Sequence, residues 1–148
     1  MKQHALAALV VLAAAAAWTP FSSNAQPLRE PKVLLLDQSS EELIDAASAK
    51  AVLEAKVPAK VWKLYPQNRW TFLSQVTGGM TAQGICVVSA RVVLLPRTSA
   101  VRAVLWRPKE VATAFDAKPG ATLAECKALA RDKLETATAA VVDSLVRN

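Results

Sequence analysis

Two cysteines are the residues most ready to do chemistry in this chain, Cys86 and Cys126, and the spacing of 40 between them is the first thing to explain. They form no Cys-x-x-Cys redox motif, and two thiols without a nearby imidazole make a poor zinc site. The only histidine is His4, inside an N-terminal stretch that reads as a secretory signal. Residues 1–25 carry Lys2, then an apolar run from Ala5 to Trp18, then a polar stretch ending Ser23-Asn24-Ala25. That is the order of a cleavable export signal, and 14 apolar residues fall short of the roughly 20 that span a bilayer. Export to an oxidising periplasm or beyond, with cleavage after Ala25, predicts that Cys86 and Cys126 are joined as a disulfide.

Losing residues 1–25 removes the histidine, so Ser–His–Asp triads, Cys–His dyads and imidazole-bound metals are not expected. It also removes Lys2 and no acid, leaving 17 basic against 12 acidic side chains, a net charge of +5. Gly78-Gly79 with Gly84 invites a phosphate-loop reading, but Ile85-Cys86-Val87-Val88 follows, which reads as strand and not as the helix such a loop needs. Glu110 and Asp116 are the only acids of the central region and stand in no glycosidase pattern. No serine has a lysine three residues later. The expectation is a non-catalytic protein that needs no cofactor and no metal.

One cluster points to binding. Arg91, Arg97, Arg102, Arg107 and Lys109 follow one another before the first acid, Glu110, and Trp106 sits among them. Arginine beside an aromatic stacks and pairs with carboxylate or phosphate groups. Arg91, Arg102, Trp106 and Arg107 are therefore the candidate partner-binding face. Export directs that face to an envelope protein or an anionic envelope component, such as lipopolysaccharide or lipid headgroups, and away from nucleic acid.

The elements that must position these residues follow from periodicity. The chain has 148 residues, 53% hydrophobic and 20% charged, enough for one domain and not for a barrel enzyme or a kinase. Residues 26–38 read as a flexible leader, with the apolar run 33–36 either a short edge strand or a clamp, and residues 39–148 as a single α+β domain. Ser39 and Glu42 have capping-box spacing, predicting a helix with its apolar stripe at Leu43, Ala47, Ala51 and Ala55, which Pro58 ends or restarts. Residues 57–65 suit a short helix or a strand. Strict alternation from Trp70 to Thr77 predicts a strand, Gly78 to Gly84 a loop, and residues 85–95 the strongest strand. A return strand over residues 100–106 would pair with it, setting Leu95 opposite Ala100 and placing Arg91, Arg102 and Trp106 on one side. A fourth strand fits residues 111–115. Thr122 and Glu125 have capping-box spacing before a long helix with a stripe at Leu123, Cys126, Ala130, Leu134, Ala137, Val141 and Leu145. The predicted architecture is an antiparallel meander of three or four strands, covered on one face by an N-terminal and a long C-terminal helix. The function that fits is an exported, disulfide-bonded binding or accessory protein (an inhibitor, an immunity-type partner or an envelope assembly factor); a carrier of a lipid or other apolar ligand between sheet and helices is the alternative.

Overall fold

The computed structural model describes residues 35–97 and 107–147. The order is β1 (Leu35–Asp37), α1 (Ala46–Lys56), α2 (Ala59–Leu64), β2 (Trp70–Met80), β3 (Ile85–Pro96), β4 (Glu110–Pro119) and α3 (Leu123–Arg147). The strands lie side by side as β1-β2-β3-β4. The last three form the antiparallel meander, while β1 runs parallel to β2, so the sheet is mixed. The parallel edge begins before Ser39: Leu35 pairs with Phe72 and Asp37 with Ser74, so the end of the expected leader belongs to the sheet.

Strand alternation sorts side chains between two faces. Phe72 and Val76 of β2, and Cys86, Val88, Ala90, Val92 and Leu94 of β3, point toward the helices and are buried. Ala49, Val52 and Leu53 of α1, Val61 of α2, and Ala130, Leu134, Ala137, Val141 and Leu145 of α3 close over them in one cluster. The aromatic edge-to-face contacts Trp62–Phe72 and Tyr65–Trp70, with centroids 5.4 and 5.3 Å apart, fasten α2 and its following turn to the start of β2. Residues 57–65 are thus a short helix, with Pro58 at its N-cap.

Four expectations need correcting. Ser39 caps no helix: its hydroxyl donates to Asp37 Oδ1 at 2.7 Å and accepts from Val76 N–H at 3.0 Å, prolonging the β1–β2 seam. Asp45 is the N-cap of α1 instead, its carboxylate accepting from Ser48 N–H at 2.8 Å. That later start rotates the helix, so Val52 and Leu53 are buried while Ala47, Ala51 and Ala55 are exposed; the larger side chains set the phase. Gly78 and Gly79 are not a loop but the end of β2, paired with Val88 and Val87. Finally, β3 has β2 on one edge and β4 on the other from Cys86 to Leu94, which leaves no edge there for residues 100–106. The return strand is β4. Two apolar runs competed for that place, and the alanines of β4 hid its alternation.

At the C-terminal helix the capping box is present. Thr122 N–H donates to Glu125 Oε2 at 2.8 Å and Glu125 N–H to Thr122 Oγ1 at 3.2 Å. The predicted stripe is buried throughout except at Leu123, which is exposed. Cys86, at the start of β3, and Cys126, one turn into α3, are joined with their Cα atoms 5.5 Å apart and neither side chain exposed. Among the described residues no helix is long and apolar enough to cross a membrane.

Candidate functional site

The face of the sheet turned away from the helices is built from the odd-numbered residues of β2, β3 and β4. In an antiparallel sheet with one wet face, outward positions are ordinarily polar. Here they are not. β3 contributes Val87, Ser89, Arg91, Val93 and Leu95, and β4 contributes Val111, Thr113, Phe115 and Ala117. Cross-strand register sets Gln75 and Thr113 on either side of Arg91, and Thr77 and Phe115 on either side of Ser89.

The two ends of this face differ. Toward Pro96, Leu73, Val93 and Leu95 form a second buried cluster, separate from the main core. Beside it lies a hollow of about 140 Å³, with Gln38, Gln75 and Arg91 around a floor of Leu73, Val93 and Leu95. Toward the β2–β3 turn the face is open, with Phe115 80% and Val87 42% exposed, while Val111, opposite Val93 at the other end, is 36% exposed. The open region bears one charge, the Arg91 guanidinium, which has no hydrogen bond or ion pair among the described residues. No acid stands on this face among the described residues of the four strands.

The acids of the neighbourhood are occupied on the other side. Asp116 meets Lys133 of α3 at 3.0 Å, and this bond together with the Ala117 N–H holds its carboxyl below the usual range. Glu125 accepts from Lys118 at 2.7 Å and from Thr122, which pushes its pKa down to about 2. Glu110 and Asp116 lie six residues apart on one strand, roughly 20 Å at 3.3 Å per residue, too far to flank a glycosidic bond. Asp37 receives the hydroxyls of Ser39 and of fully buried Ser74 at 2.7 and 2.6 Å, a seam between β1 and β2 that consumes its acceptor Oδ1.

Of the residues singled out by sequence, Arg91 is on this face and exposed, and Arg107 is exposed just before β4. Arg102 and Trp106 lie outside the described residues, and the β3 edge expected to set them beside Arg91 is taken by β4. Arg97, from the same basic cluster, is engaged, its guanidinium donating to the Gln67 carbonyl at 3.0 Å. Phe115, Val87 and Val111 were not singled out. For Phe115 and Val111 the signal is present in Val-Ala-Thr-Ala-Phe-Asp-Ala, where small alanines alternate with larger residues. From Val111 to Phe115 the small ones face α3 and the larger ones face outward.

No family model matches the chain, and no curated protein matches its sequence. Among solved structures it is similar to the PelC dodecamer from Paraburkholderia phytofirmans, at 18% identity over 74% of this chain and 84% of that one, with a TM-score of 0.42. A point variant of the same dodecamer gives 16% identity over 74% and 85%, with a TM-score of 0.43.

Proposed function

We propose that this is an exported, non-catalytic binding or accessory protein of the cell envelope, and that it holds a protein partner on the outer face of its sheet. One observation carries the reading: a face with no acid among the described residues, on which Phe115, Val87 and Val111 stand exposed and Arg91 has no partner among the described residues. Exposed apolar patches of this kind mark interaction sites, and aromatic residues and arginine are enriched in them. The disulfide and the export signal read from residues 1–25 support the oxidising location. A carrier holding a lipid between sheet and helices has less behind it, because Phe72, Leu53, Leu94 and Leu134 fill that space with no exposure above 2%.

The test is a photo-crosslinking amino acid at Ser89, between Thr77 and Phe115, incorporated in cells. A discrete adduct with an envelope protein is expected, and Arg91→Glu should abolish it. No adduct, or one indifferent to Arg91→Glu, would overturn the proposal.

A further inference from the structure

The outer edge of β4 adds something that the face alone does not. Gly120 N–H donates to the Gly84 carbonyl at 3.0 Å, in the same register that pairs Ile85 with Pro119 and Leu94 with Glu110. Antiparallel ladders alternate, so the even-numbered residues of β4 turn their N–H and C=O groups toward β3. Val111, Thr113, Phe115 and Ala117 turn theirs outward, and β4 ends the sheet among the described residues. The Ala117 N–H is taken by its neighbour's carboxylate, Asp116 Oδ1, at 2.8 Å. The N–H groups of Val111, Thr113 and Phe115 have no partner among the described residues. The charges of this ten-residue edge, Glu110, Asp116 and Lys118, sit toward its ends, so the central run from Val111 to Phe115 has neither charge nor proline to protect it, and Phe115 is 80% exposed beside it.

We infer that this edge pairs antiparallel with β4 of a second copy of the chain, about a two-fold axis at Ala114. Charge selects both the occupant and the register. With the axis at Ala114, Glu110 stands opposite Lys118 of the second copy, and the reverse holds across the axis. Glu110 has no ion pair of its own among the described residues, and Lys118, with its side chain 51% exposed, bridges Glu125 on its free side. An axis one residue earlier, at Thr113, would set Glu110 against Asp116. In the Ala114 register Thr113 and Phe115 of the second copy exchange N–H and C=O, and Val111 N–H reaches the Ala117 carbonyl, leaving the Asp116–Ala117 bond intact. On the outer face the two Phe115 rings become diagonal neighbours, at a spacing aromatic side chains bridge. The sheet doubles, and two copies of the proposed binding face become one continuous surface.

Sedimentation velocity of the purified protein, up to about 0.5 mM, tests this. A dimer is expected. Thr113→Pro should make it monomeric with its circular dichroism unchanged, because the Thr113 N–H serves no partner among the described residues and proline is tolerated at such edge positions. Glu110→Lys should raise the dissociation constant about tenfold, since it places like charges opposite each other. Should Thr113→Pro lose its native spectrum, Phe115→Lys replaces it under the same criterion. A wild-type monomer throughout the range, a dimer that survives these edge variants, or one indifferent to Glu110→Lys would overturn the inference, while the crosslinking at Ser89 stands or falls separately.

Discussion

Removing the Cys86–Cys126 bond is the perturbation whose size follows most directly from this fold. The bond closes a loop of 40 residues in the unfolded chain. The chain-entropy relation then gives about 13 cal/mol/K, or about 4 kcal/mol at 25 °C. Little in the folded state should offset that. Both sulfurs are buried, and α3 stays in place through Ala130, Leu134, Ala137, Val141 and Leu145, so the reduced protein should still fold. With an unfolding entropy near 2.1 cal/mol/K per residue over the roughly 110 residues of the domain, 4 kcal/mol corresponds to a fall in melting temperature of about 17 °C. Calorimetry with and without reductant measures it, and the Cys86→Ala, Cys126→Ala double variant gives the same comparison without reductant. The expected result is one cooperative transition shifted down by 10 °C or more, on the order of the full entropic term. A shift below about 3 °C would refute the argument that the bond acts by restricting the unfolded chain. Two titratable thiols in the denatured, unreduced protein would remove the bond altogether.

Three smaller perturbations follow from contacts at the strand and helix ends. Thr122→Ala removes the hydroxyl of the α3 capping box and should cost about 1 kcal/mol, read as a lower urea midpoint. Because folding pushes the Glu125 pKa from an ordinary 4.5 down to about 2, its stabilising effect is complete above that ordinary value and is lost as pH falls between the two. The melting temperature should therefore drop across that acid window, and less steeply in Glu125→Gln. Gly78→Ala should destabilise by at least about 2 kcal/mol, since φ is +124° there and a Cβ would collide with the Val87 carbonyl oxygen; an unchanged urea midpoint would mean that β2 does not approach β3 as described.

Legibility in the sequence followed the size of the side chains. The helix-facing side of β3 could be read because Val88, Val92 and Leu94 are large and its neighbours do not compete with them. The α3 stripe was legible because a capping box fixed its phase at Thr122 and Glu125. Where small or polar residues decide, periodicity failed. Ser39 and Glu42 have the spacing of a cap, yet the same hydroxyl also fits the β1–β2 seam, and the pairing of Asp37 with buried Ser74 decided between them. The two glycines that looked like a loop are in β2 because Gly78 lets the Val87 carbonyl come close, a tertiary fact with no local signature.

The same limit explains why the candidate site was found only in part. Arg91 is legible because arginine is conspicuous, and the density of basic residues sets Arg102, Trp106 and Arg107 beside it in sequence. What distinguishes the face is the lack of charge elsewhere on it, together with an inverted strand. β4 turns Ala112 and Ala114 toward α3 and Val111, Thr113 and Phe115 toward solvent, the reverse of an ordinary amphipathic edge. Small residues are needed beneath α3 because the helix packs close there and Lys133 reaches across to Asp116. Nothing in the packing of the described residues requires the large residues on the other side. A phenylalanine 80% exposed on an edge strand adds no core contact and raises the risk of aggregation. A strand built that way makes physical sense when its outward side and its free edge are covered by something else, and that requirement underlies both the proposed partner face and the proposed pairing of β4.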